Sequence, residues 1–130
     1  MYRAIAAFAC LGTILAGGAA QAASAPAPGG LAHGRAIFEQ QCGVCHPVAP
    51  SPTPGAGPML KGVVGRKAGA GDKGFAYSNG LKASGLVWTP ANLAKFLAGP
   101  SALVPGTTMP ISLSSPTDRD DTLAYLATLK

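Results

Sequence analysis

Apolar positions along the chain fall into distinct regimes, and each predicts a different kind of structure. An uncharged apolar run of thirteen residues, Ala4 to Ala16, comes first and is closed by Gly17-Gly18. Helical spacings of three and four recur in later stretches, separated by Gly- and Pro-rich segments with no period. From Leu31 to about Gln41, the residues Leu31, Gly34, Ile37, Phe38 and Gln41 make one stripe with a flat notch at Gly34. A short helical turn is predicted over 78–84, stopped by Gly85. The next helix has Thr89 as N-cap, Pro90 at its first position, Leu93, Phe96 and Leu97 as its buried face, and Gly99-Pro100 at its end. The last opens on Ser115-Pro116-Thr117-Asp118 and carries Asp118, Asp120 and Asp121 toward the positive end of its dipole. Its apolar face is Leu123, Leu126 and Ala127, with Lys130 at the negative end. No stretch alternates convincingly over five or more residues, so no sheet is predicted and the fold class is all-α.

The connections are long. Residues 47–58 hold Pro47, Pro50, Pro52, Pro54 and Pro58, each of which removes a backbone donor and restricts the residue before it. Residues 59–76 add Gly62, Gly65, Gly69, Gly71 and Gly74. A self-sufficient helical bundle would avoid such loops.

The apolar run is read as an address. Arg3 supplies a positive start, and Ala20-Gln21-Ala22 has the small-x-small form of a signal peptidase site, with a cut after Ala25 as the other option. Thirteen apolar residues fall short of the roughly 20 that span a bilayer, which disfavours an anchor. The expected organisation is therefore a cleaved signal peptide at 1–22, a small-residue linker at 23–30 and one domain at 31–130, exported to the periplasm. Cys10 leaves with the signal. Removing 22 of the 130 residues leaves 108, with nine Lys/Arg against five Asp/Glu and six aromatics. A chain of that length buries only about 60–65% of its unfolded surface, so its own core is marginal and something else is expected to fill the middle. The two remaining cysteines stand three residues apart, and a disulfide between them would close too small a loop to constrain the unfolded chain.

Cys42-Gly43-Val44-Cys45-His46 is the attachment signature of c-type haem, in which two thiols become thioethers and the adjacent imidazole ligates iron. The spacing brings both sulfurs to one side of a turn and projects the next side chain over the ring. A structural zinc site would need further ligands, which outside the motif reduce to His33 and the acids. A dithiol redox site should follow a strand, whereas this motif follows a helix and precedes a proline loop. For the second axial position the candidates are Met109, Met59 and His33. Met109 is favoured because Pro105-Gly106-Thr107-Thr108-Met109-Pro110 holds its loop in one shape and a thioether opposite His suits an electron-transfer haem. Met59 is read as core filler and His33 as a surface residue.

These residues resemble the class I monohaem cytochromes c of the mitochondrial-like bacterial kind. The likeness runs from about Gly30 to Lys130 and rests on an ordered series: Gly34/Phe38, Cys42 to His46, Gly57-Pro58, Gly65-Arg66-Lys67, Phe75 to Asn79, Trp88, Pro100, Pro105 to Met109 and Tyr125-Leu126. The resemblance implies three to five short helices around one covalent haem c with its iron, with His46 and Met109 axial. It implies that Gly34 and Phe38 meet the Leu123/Leu126 face, and that the Pro58 carbonyl accepts the His46 ring N–H. It also implies that Tyr77 and Trp88 donate to one haem propionate beside Arg66, and that Thr107 donates to the other. Phe96 and Leu81 depart from the family's tyrosine and asparagine, and Met59 from a common asparagine, which predicts a drier pocket. On that basis Phe96→Tyr is predicted to shift the reduction potential and the alkaline stability, as voltammetry would show.

The function so implied is one-electron carriage, with no substrate chemically changed and no catalytic residue. The partners implied are redox proteins such as a quinol-cytochrome c oxidoreductase, a terminal oxidase, a dehydrogenase or a photosynthetic centre. Lys61, Lys67, Lys73, Lys82 and Lys95 would steer them, although Thr108 replaces a lysine that the family usually places beside the Met ligand. A haem-binding subunit of a larger oxidoreductase is one alternative. A weak peroxidase or gas-binding protein with Met109 detached is another, against which stands the lack of a His and Arg pair for distal acid-base work. Loss of Arg3 and gain of two propionates bring the formal +5 near +2, which leaves only mild steering.

Overall fold

The structure is a computed structural model that describes residues 29–51, 53 and 55–130. The expected signal peptide at 1–22, with Cys10, and positions 23–28 of the expected linker lie outside the described residues.

Among the described residues five α-helices are found: α1 (Leu31–Ile37), α2 (Asn79–Ala83), α3 (Pro90–Ala98), α4 (Pro100–Leu103) and α5 (Pro116–Leu126). Their starts are written in side chains. Ser78 accepts from the Leu81 N–H, Thr89 from Asn92 and Ser115 from Asp118, each satisfying a donor that the helix itself leaves open. Proline stands at the first turn of α3, α4 and α5, where its missing N–H costs nothing. The sequence reading ended the third helix at Gly99-Pro100 and missed α4. Pro100 both stops one helix and starts the next, and the Val104 N–H donates to its carbonyl at 2.8 Å.

The molecule is organised by the crossing of α1 over α5. A Cβ on Gly34 would collide with the Asp121 carbonyl, so only glycine permits this approach. Gly34 therefore meets Asp121 and Thr122 in place of the predicted Leu123/Leu126 face, whereas Phe38 shares the core cluster with Leu126, against which Leu123 also packs. Leu126 is buried, Leu123 is half-buried and Ala127 is exposed, which corrects the expected stripe by part of a turn. Leu31, expected on the buried stripe of α1, is 52% exposed. Phe38 and Tyr125 close the crossing with ring centroids 5.2 Å apart.

Two clusters make the core. Phe38, Trp88, Leu93, Phe96, Val104 and Leu126 belong to the larger; Ile37, Leu97 and Leu113 form the smaller, which joins α1, α3 and the segment before α5. The Leu113 N–H donates to the Leu97 carbonyl at 2.7 Å and pins that segment. The Gly-rich stretch after residue 59 is not featureless. It pairs Lys67 with Val87 in one antiparallel bridge, with Ala68 N–H to Leu86 O at 2.8 Å and Trp88 N–H to Arg66 O at 2.8 Å. No strand longer than this occurs among the described residues, and no helix there is long and apolar enough to cross a membrane.

Candidate functional site

After α1 the chain widens into a π-helical turn, Phe38–Cys42, in which the Gly43 N–H donates to Phe38 O at 2.7 Å. Such insertions recur at functional sites. The backbone then folds tightly: Cys45 N–H and His46 N–H both donate to the Cys42 carbonyl, at 3.0 and 2.9 Å. Cys42, Cys45 and His46 are thereby delivered to one cavity of ≈ 240 Å³, which Met109 also lines. The two thiols are not bonded to each other. Burial, and the nearby Cys45, push the Cys42 thiol up from its ordinary value. Burial likewise holds the His46 imidazole below its ordinary value, so the neutral ring is favoured.

His46 is fixed from behind. Its Nδ1 lies 2.8 Å from the Pro58 carbonyl, which makes Nδ1 the protonated nitrogen and leaves Nε2 with its lone pair. A Cβ on Gly57 would stand 2.5 Å from His46 Cε1, so the Gly57-Pro58 pair both grips the ring and makes room for it. The proline loop is tied to the motif by Gly57 N–H to Cys45 O at 3.0 Å and Leu60 N–H to Pro47 O at 2.9 Å.

Arg66, Tyr77, Trp88 and Thr107 all line the same cavity, as do Phe96 and Leu81. Arg66 spends two guanidinium nitrogens on backbone, donating to Met59 O at 2.9 Å and Lys61 O at 3.1 Å, while its Nε is buried with no partner among the described residues. A buried guanidinium N–H without an acceptor is costly, and this one is packed against Gly71, where a Cβ would collide with it. The Tyr77 hydroxyl accepts the Asp72 N–H at 2.9 Å, and Thr107 Oγ1 accepts the Met109 N–H at 3.4 Å. Each hydroxyl keeps its own proton free to donate.

Sequence reasoning missed Asp72. Its carboxylate accepts Met59 N–H at 2.9 Å and Gly74 N–H at 3.0 Å, so it builds the wall that positions Arg66 and Tyr77. The signal lay in Asp72-Lys73-Gly74, an Asx turn in a Gly-rich run. Sequence reasoning also passed over Thr122, a fully buried cavity-lining residue of α5. His33, taken as a surface residue, is half-buried and bonds Asp121 through Nδ1 at 2.8 Å. Asp121 therefore acts as a clasp, also accepting the Gly30 N–H at 2.6 Å, more than as a dipole partner of its own helix.

All five lysines expected around the opening are exposed, and of them Lys67 lines the cavity. The exposed lining residues Val44, Thr108, Pro110 and Ile111 are uncharged, and Val44 is 76% exposed. No group of three or more His, Cys, Asp or Glu side chains placed to hold a metal occurs among the described residues, so the zinc alternative has no site there.

These residues fit a planar, mostly apolar group that carries carboxylates and an iron centre. Two free thiols and an imidazole with an available nitrogen stand on the cavity, and the Arg66 guanidinium side chain and the hydroxyl-bearing Tyr77 and Thr107 also border it.

Comparison with known proteins agrees. The Cytochrome c family profile matches residues 31–130. Cytochrome c2 of Rhodomicrobium vannielii is 49% identical over 107 residues, covering 82% of this chain and 84% of that protein. Cytochrome c of Tetrahymena pyriformis is 46% identical over 99 residues, covering 75% of this chain and 87% of that one. Among solved structures, cytochrome cH from Methylobacterium extorquens matches with a TM-score of 0.70 and 46% identity, covering 77% of this chain and 99% of that one.

Proposed function

Because this chain belongs to the cytochrome c family, whose members hold haem c covalently and carry electrons rather than act as enzymes, we propose that it is a one-electron carrier with His46 and Met109 as the axial ligands. The observation that carries the reading is the His46–Pro58 bond of 2.8 Å. It leaves Nε2 free on a cavity that Cys42, Cys45 and Met109 also line. The haem, when bound, supplies the ferric/ferrous couple.

The chain's own residues supply the rest. Cys42 and Cys45 tether the group, and the Pro58 carbonyl sets the tautomer and orientation of His46. Met109 is presented by a loop whose Pro105 carbonyl rests against Gly80 at the start of α2. Arg66 would offset one carboxylate's charge, and Tyr77 and Trp88 would donate beside it. Thr107 donates to the second carboxylate. Phe96, packed on Trp88 with centroids 4.9 Å apart, and Leu81 keep the cavity lining apolar and exclude water.

The apolar run at 4–16 supports export, with 1–22 removed and 31–130 working in the periplasm. The partners are redox proteins that dock transiently, with mild steering by Lys67 and the more distant Lys61, Lys73, Lys82 and Lys95. An optical spectrum tests the ligation. The ferric protein should show a weak absorption near the red end from sulfur–iron bonding, and Met109→Ala should abolish it while Met59→Ala leaves it. A wild-type spectrum without that band overturns Met109 as ligand.

A further inference from the structure

The Thr122 hydroxyl stands out among the polar groups of the cavity. Thr122 is 0% exposed, and its Oγ1 hydrogen-bonds to nothing among the described residues. It sits on α5 four residues before Leu126, and both residues border the haem cavity. The α1 crossing seals it from outside, since a Cβ on Gly34 would stand only 2.9 Å from the Thr122 amide nitrogen. A buried hydroxyl without a partner is destabilising, and valine has the same shape without that penalty. Unlike Tyr77 and Thr107, whose hydroxyl oxygens accept backbone N–H groups, nothing fixes this O–H in direction. It is a free dipole within the cavity's apolar wall, where the local dielectric is low and a dipole acts strongly.

We propose that Thr122 is a potential-setting residue that favours the oxidised protein. The ferric centre carries one more positive charge than the ferrous. A hydroxyl free to rotate swings its hydrogen away from that charge when an electron leaves, leaving the oxygen end of its dipole toward the centre, and relaxes when one returns, so it stabilises the ferric form more. The electron goes to or comes from the redox partner, and no bond to Thr122 forms or breaks. This inference rests on the haem reading above, and it is separable from the identity of the sulfur ligand.

The test uses the holoprotein as wild type, Thr122→Val, Thr122→Ser and Thr122→Ala. Equilibrium redox titration should give Val and Ala a more positive midpoint than wild type, with Ser staying near wild type because it keeps the hydroxyl. The difference should be the same in low and high salt, because a buried dipole is not screened as a surface charge is. Denaturant unfolding should close the cycle: the stability gap between the ferric and ferrous forms changes in Val by the same factor as the redox equilibrium. Val should also melt no lower than wild type. An unmoved or more negative midpoint in Val and Ala, a Ser midpoint that moves with them, or a shift that disappears in high salt would each overturn the proposal. The red-end ferric band is recorded in every variant. If it persists while the midpoint stays put, Thr122 is excluded and Met109 stands; if wild type lacks it, the ligand assignment fails and the Thr122 result is still read from the midpoints.

Discussion

At the scale of single residues, Asp121 shows how one carboxylate can hold the chain's first helix to its last. Its side chain is 13% exposed, and it accepts from His33 Nδ1 and the Gly30 N–H, with Asp118 3.9 Å from the other His33 nitrogen. The His33 bond first, and the Gly30 N–H second, hold the Asp121 carboxyl below its ordinary value. A depressed carboxyl contributes stability that is complete above the ordinary carboxylate range and is lost as pH falls through the depressed value. Asp121→Asn is therefore expected to lower the melting temperature at neutral pH and to flatten the acid side of its pH profile. Superimposable wild-type and variant profiles would remove the clasp. None of this was readable from the sequence: Asp121 looked like a dipole partner of its own helix and His33 like surface, because a pair 88 residues apart leaves no periodic trace. Cys42, Cys45 and His46 were readable, because their chemistry demands a fixed local spacing.

Between elements, two glycines do what propensity alone would forbid. Gly34→Ala would set a Cβ against the Asp121 carbonyl, backbone against helix backbone, where no side-chain rotation can relieve the clash. The expected cost is about 3 kcal/mol, read as a lower denaturant midpoint at unchanged slope. Gly80→Ala would instead collide with the Pro105 carbonyl, at the start of the Met109 loop. Here the damage should be local: the red-end ferric band should be lost at a temperature well below that of global unfolding by circular dichroism. Coincident losses would show that the loop and the fold melt as one unit and that Gly80 is no lever on Met109. The helix starts were legible because Ser78, Thr89 and Ser115 cap in their own neighbourhood. The buried face of α5 was legible only in part, through the buried Leu126 and the half-buried Leu123. Its centre at Thr122 is polar, so hydrophobic periodicity pointed to Leu123, Leu126 and Ala127, and α1's approach at Gly34 decided otherwise.

Across the whole molecule, the sparse aromatics and long Gly/Pro loops led to the expectation of a prosthetic group in the core; the cytochrome c family holds haem, and most of the larger core cluster lines the cavity. The apoprotein should accordingly lack a cooperative melting transition, which calorimetry would reveal; a sharp apo transition would mean the two apolar clusters suffice alone. The surface charge was less legible, because a count of lysines says nothing about where they stand. Of Lys61, Lys67, Lys73, Lys82 and Lys95, only Lys67 lines the cavity, beside the uncharged and exposed Val44, Thr108, Pro110 and Ile111. Electrostatic steering raises association rates by roughly 10- to 1,000-fold where charge is concentrated at the contact, and with one lysine there it should fall at or below the lower end of that range. Stopped-flow electron exchange with an acidic redox protein should slow by less than about tenfold between low and physiological ionic strength, as surface charges become screened. Lys67→Glu should depress the low-salt rate more than Lys95→Glu does. Equal effects from the two substitutions would mean that net charge, rather than its placement at the cavity, governs encounter.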